Sequence, residues 1–182
     1  MYFEKPGRDN TDKTVELAYE RAKALGIDEV VVASSKGYTA HKALDVFKGF
    51  KVVVVTYHSG FKIPFQSVMP ESIRTDLEKS GATVISATHA LSGVERSIFN
   101  KYSGAYPVLI IADTLRLFGQ GTKVAVEIAI MATDGGALSG KDIVSVGGTG
   151  KGADAALILK PANQSHLFDL RVREVVCKPS SF

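Results

Sequence analysis

The stretch VVASSKGYTAHKAL, residues 31–44, passes from an apolar strand pattern into a helix pattern, and its junction holds Ser34, Ser35, Lys36, Gly37, Tyr38 and Thr39. These are the parts of an anion site. The first N–H groups of a helix point outward, and the helix dipole favours negative charge there. The hydroxyls can donate hydrogen bonds, Gly37 lets a phosphate approach the backbone, and Lys36 supplies a point charge. A plain strand-to-helix turn uses Ser, Gly and Thr too. The added lysine tips the reading toward a phosphate-type ligand.

VGGTGKGADAALI, residues 146–158, is a second candidate, with Gly148, Thr149 and Lys151 among its glycines. Dinucleotide and P-loop fingerprints need a helix after the glycines, and here a strand follows. The loop N–H groups can still form a nest for an anion. A bland turn needs one or two glycines, so the four here (147, 148, 150 and 152) argue close approach of something. A third, distributed candidate is Thr56, His58, Ser59, Gly60 and Phe61 after one strand, with Thr88 and His89 after the next. In an open α/β sheet, ligands bind beyond the carboxyl ends of the strands, and all three groups fall on that edge.

Other chemistries find less support. His41, His58, His89 and His166 show no ligand spacing with one another or with a carboxylate cluster, so no metal site is expected. No GxSxG elbow occurs, and Cys177, the one cysteine, lies in an apolar strand pattern as a structural thiol. Glu127 is the lone acid in an apolar segment; it pairs with Lys123 one turn earlier or faces an interface. No catalytic residue is assigned.

The elements that must position these residues follow from periodicity. Val15, Ala18, Ala22 and Leu25 make an apolar stripe for a first helix, capped by Asn10 and stopped by Gly26. Strands are predicted at 29–34, 51–56 and 83–88, with helices at about 39–47 and 70–81 between them. This alternation argues a parallel sheet. Two largely buried helices are expected over 107–118 and 123–133, packed on the sheet or on a second subunit. In the second of these, strand-like alternation is outweighed by length and alanine content. Strands at 142–147 and 155–160 are too closely connected for a parallel crossover, so an antiparallel hairpin at the sheet edge is expected, with a last strand at 170–177. The fold class is thus α/β: a three-layer α/β/α sandwich with a mostly parallel sheet and an antiparallel edge, in one domain of 182 residues.

Composition is that of a globular protein: 45% apolar, 23% charged, net charge +3. Disorder is expected only in the final KPSSF. Basic residues are dispersed without interleaved aromatics, so neither nucleic acid nor membrane is an expected partner. The charged N-terminus lacks a secretory pattern, and a cytoplasmic location is expected.

VVASSKGYTAHKAL resembles the strand–loop–helix of the pyruvate kinase C-terminal domain, T-x-S-G-x-[TS]-A, with Ser34 in place of the threonine and a lysine before the glycine. VGGTGKGADAALIL resembles that domain's late glycine-rich connection. Over nearly the whole chain, phrases such as YFEKPGRDNT, VVVVTYHSGF, LSGVERS and VAVEIAIMATDGG are similar to a family of small, stand-alone archaeal proteins of this fold. That resemblance implies bound flavin mononucleotide (FMN), held by the 34–39 loop, the TYHSGF loop and the GGTGKGAD loop. It implies no pyruvate kinase activity, which belongs to a barrel domain.

Three functions are therefore open: an FMN-binding protein of unknown substrate with its phosphate on the 34–39 loop, a non-catalytic effector module for a sugar phosphate or nucleotide, and a structural oligomer without ligand. A homodimer or higher homo-oligomer is expected, because segments 107–118 and 123–133 are too apolar for one domain to cover.

Overall fold

The structure, a computed structural model, describes residues 1–181. Among these residues, seven strands form one sheet: β1 (Tyr2–Phe3), β2 (Glu29–Ala33), β3 (Lys51–Tyr57), β4 (Thr83–Ala87), β5 (Ile143–Gly147), β6 (Ala155–Lys160) and β7 (Arg171–Pro179). The order across the sheet is β1-β7-β6-β5-β2-β3-β4. β5, β2, β3 and β4 pair parallel, while β6 is antiparallel to both β5 and β7.

β2 and β5 read as continuous valine and isoleucine because helices cover both of their faces. On one face, Val30, Val32, Val144 and Val146 pack in a single apolar cluster with Val15, Ala18, Ala40 and Leu77. Those residues come from α1 (Thr11–Leu25), α2 (Tyr38–Val46) and α3 (Glu71–Lys79). On the other, Val31, Val53, Ile143 and Leu157 pack with Ala125, Ile128, Ala129 and Ala132 of α6 (Gln120–Asp134). α4 (Gly93–Tyr102) and α5 (Pro107–Arg116) complete that layer. This is the three-layer α/β/α sandwich expected from the alternation.

Four expectations need correction. The 143–160 hairpin is not at an edge: the long excursion through α4, α5 and α6 returns β5 to the centre beside β2, and β7 adds outside β6. The tail is not disordered through KPSSF: Lys178 and Pro179 pair with β1, and Ser180 N–H donates to the Phe3 carbonyl at 2.8 Å, while Phe182 lies outside the described residues. Asn10 stands at the N-cap of α1 but its side chain makes no capping bond; it ends a 3-10 turn and its side-chain amide donates to the Lys5 carbonyl at 2.8 Å. Of the two apolar helices only α6 is largely buried. Ile110, Leu117 and Phe118, in and just after α5, are 56%, 75% and 53% exposed, and Val94 and Tyr102 of α4 are also exposed.

The glycines of the β5–β6 loop have a packing reason. A Cβ on Gly147 would lie 2.2 Å from the Gly121 carbonyl oxygen and 2.7 Å from the Ala125 nitrogen, both backbone atoms of α6. On Gly152 it would lie 2.8 Å from the Arg8 Cα. For Gly147, Gly148 and Gly152 the close approach is that of the chain's own backbone, which draws α6 and the start of α1 against this loop, whereas Gly150, at φ +74°, has open space around it and serves the turn.

Two predictions follow from this packing. Gly147→Ala should destabilise the fold by at least about 1–3 kcal/mol, the range for overfilling a tight core, as measured by urea denaturation. Light scattering should return a multiple of the 19.4 kDa chain mass, and Leu117→Asp with Phe118→Asp should return a monomer. A monomer mass for the native chain at every concentration would contradict self-association.

Candidate functional site

Strand order reverses between β2 and β5: the chain leaves β2 through α2 toward β3 and β4, then returns on the other side through α6. Such a switch point opens a crevice beyond the strand ends. A cleft of about 1020 Å³ lies there, lined by the ends of β2 and β3, the β5–β6 loop, the first turns of α6, the α4 start and Arg8. A second hollow, about 560 Å³ around Lys160, His166 and Arg173, is shallower and carries mixed charge at the β6–β7 end.

Of the residues singled out in the sequence, Ser34, Ser35, Lys36, Tyr38, Thr39, Thr56, Phe61, Gly148 and Lys151 line the cleft, as does His89. Ser34 is buried and its Oγ accepts from the Ala40 N–H at 3.4 Å, closing the first turn of α2. Thr56 Oγ1 donates to the Ser35 carbonyl at 3.5 Å and ties the two strand ends together. Gly37, His58, Ser59, Gly60 and Thr149 do not line it. Gly37 has φ +93° and a Cβ there would meet Ile73 Cγ2 at 2.6 Å, so the glycine serves the turn and the α3 contact. Ser59 and Gly60 lie in a turn in which the His58 Nδ1 faces the Ser59 carbonyl at 2.8 Å. Thr149 N–H donates to Asp154 Oδ2 at 3.2 Å; the same oxygen accepts from Gly7 N–H at 2.9 Å. Asp154, fully buried, thereby holds Gly7–Arg8 beside the glycine loop.

Aromatic rings gather at the β3 end. Tyr57 and Phe61 stack with centroids 4.1 Å apart and planes 5° from parallel, and His89 stands 5.0 Å from Phe61. Burial pushes His89 below the ordinary imidazole range; Glu127 opposes this, while Lys123 and His58 add to it. At the other end, the Arg8 guanidinium lies 3.8 Å over the Tyr38 ring.

Charge is the cleft's main feature, and most of it lies outside the stretches chosen from the sequence. Seven cations line it (Arg8, Lys36, Lys62, Arg96, Arg116, Lys123 and Lys151) against one carboxylate, Glu127. Arg116 pairs with Asp113 and Lys123 with Glu127. The other five form no ion pair among the described residues. Lys123 and Glu127 are both buried, and Glu127 Oε1 also accepts the Leu91 N–H at 3.0 Å. Burial holds the Lys123 amine below the usual lysine range against the pull of Glu127. Arg8 carried no sequence signal, because only the docking of the α1 start on the glycine loop brings it here. Arg96 had one: it follows Ser92 and Gly93 at a strand-to-helix junction resembling residues 34–39 in composition.

A three-layer α/β domain with a cationic crevice at its switch point is the class these features define. The pyruvate kinase α/β domain profile matches residues 12–159, and the chain belongs to that family. Among solved structures the chain is matched to the pyruvate kinase of Cryptosporidium parvum in complex with ADP, 13% identical with a TM-score of 0.46. The match covers 88% of this chain and 25% of that one, so the chain spans about a quarter of that enzyme's length.

Removing one partner of the buried pair is expected to leave an uncompensated charge. Glu127→Ala should cost about 3–5 kcal/mol of stability by chemical denaturation, whereas the paired change Lys123→Met with Glu127→Leu should recover much of it. A neutral Glu127→Ala would mean that Lys123 reaches solvent.

Proposed function

We propose that this chain binds a phosphorylated small molecule in the switch-point crevice, and that the ligand is FMN. The observation that carries the proposal is the group of five cations lining one cleft without carboxylate partners. Like charges held together repel, and a phosphate dianion relieves that repulsion while forming charge-assisted hydrogen bonds. Lys36, with the N–H groups that open α2, stands at the strand-to-helix loop; Arg8 and Lys151 come from the two segments that Asp154 and the loop glycines hold nearby. The stacked Tyr57–Phe61 pair, with His89 tilted beside it, offers aromatic surface for an isoalloxazine ring, and the volume suits a mononucleotide. A bound flavin would supply hydride or single-electron transfer; the chain's own residues would hold and orient it.

One observation favours a second reading, an effector module for a sugar phosphate or nucleotide. Tyr57 already covers one face of Phe61 and Arg8 one face of Tyr38, so neither ring can sandwich a flavin as it stands.

Reconstitution separates the two. Protein titrated with FMN and with riboflavin should prefer FMN by a wide margin. Lys36→Ala should weaken FMN by about 1.5–3 kcal/mol, the range for a charge-assisted hydrogen bond, and leave riboflavin unchanged. Equal affinity for both flavins would place the phosphate in solvent. Binding of a sugar bisphosphate with no flavin binding would favour the effector module.

A further inference from the structure

The cleft's cations come from opposite layers of the sandwich. Arg8 and Lys36 belong to the α1–α2 side, whereas Arg96, Arg116 and Lys123 come from α4, α5 and α6 across the sheet edge. Arg116 is held in place: its Nε donates to Gln120 Oε1 at 2.9 Å, and Gln120 itself lines the cleft. Its one carboxylate partner, Asp113, is 75% exposed and does not line the cleft. Arg96 has no ion pair among the described residues, and its guanidinium sits 5.7 Å from the Phe99 ring. Glu127 is occupied by Lys123 and by the Leu91 N–H. Lys123 lines the same cleft, and its amine is held below the usual lysine range chiefly by burial, with the Arg116 and Arg96 charges adding to it.

A single phosphate at the 34–39 loop cannot neutralise the wall across the sheet edge. We propose that Arg96 and Arg116, backed by Gln120, form a second anion subsite, which takes the phosphate or carboxylate of a second small molecule alongside the flavin. The proposal rests on the flavin reading for its first occupant, but the subsite itself can be tested without it. A substrate-sized anion suits the cleft, whose lining also includes the Ser92 hydroxyl, the His89 imidazole and the apolar Met131 side chain.

The test is equilibrium dialysis with radiolabelled inorganic phosphate, on the protein alone and on protein saturated with FMN. Two phosphates per chain are expected without FMN and one with it. Arg96→Gln with Arg116→Gln should weaken the phosphate that persists beside FMN at least tenfold, and Arg96→Lys with Arg116→Lys should restore part of it. Both residues lie on the outer helices, and circular dichroism should show the fold retained. A single phosphate, lost with Lys36→Ala and indifferent to the arginine changes, would overturn the second subsite and leave the first reading standing. No phosphate beside bound FMN would also overturn it, by giving the arginines to the flavin itself. If FMN fails to bind, the flavin reading falls, and a phosphate lost with the arginine pair still upholds the subsite.

Discussion

At the end of β5 the sheet backbone comes into direct contact with the backbone of the first turns of α6. There is no room for a side chain at Gly147 against the Gly121 carbonyl and the Ala125 nitrogen, nor at Gly121 against Asp154. Ser145 Oγ donates to the Ala125 carbonyl at 2.7 Å and fixes the same contact from the strand side. This approach sets the depth of α6 on the sheet. It thereby sets where Gln120, Lys123 and Glu127 stand relative to the strand ends, and so the far wall of the cleft.

The near wall depends on the same loop. Gly152 admits the Arg8 backbone, Ala153 N–H donates to Thr11 Oγ1 at 3.0 Å, and Asp154 collects the N–H groups of Gly7 and Thr149. One buried carboxylate and two glycines thus bring an arginine from the chain start to a crevice defined by β2 and β5. The electrostatics follow from the geometry. Cations drawn from seven separate segments meet where the sheet's strand order reverses, and only the buried Lys123 has its charge answered inside the cleft.

Strands β2 to β7 and helices α1, α2, α3, α5 and α6 were legible in the sequence, because their apolar periods are regular and several of their ends carry Gly26, Pro70 and Gly81. The 34–39 loop was legible as well, since helix, serines and lysine are contiguous. What was not legible depends on contacts between distant segments. β1 has two residues and exists only because β7 pairs with it. Arg8 and Arg116 reach the cleft through the docking of α1 and α6, which no local pattern encodes. Three of the four loop glycines do mark close approach, but the approaching group is the chain's own backbone: α6 at Gly147, the loop itself at Gly148 and Arg8 at Gly152, with Gly150 in open space. Gly37 similarly answers a turn and the Ile73 side chain.

The central claim is that a phosphate is held where β2 meets α2, under Lys36 and beside Arg8. A crystal structure of the protein grown with FMN tests it most directly. The account predicts the phosphate within hydrogen-bonding distance of Lys36 and the N–H groups of residues 38 and 39, with the ring running toward Tyr57 and His89. A flavin bound outside the crevice, or bound in it with its phosphate in solvent, would contradict the account.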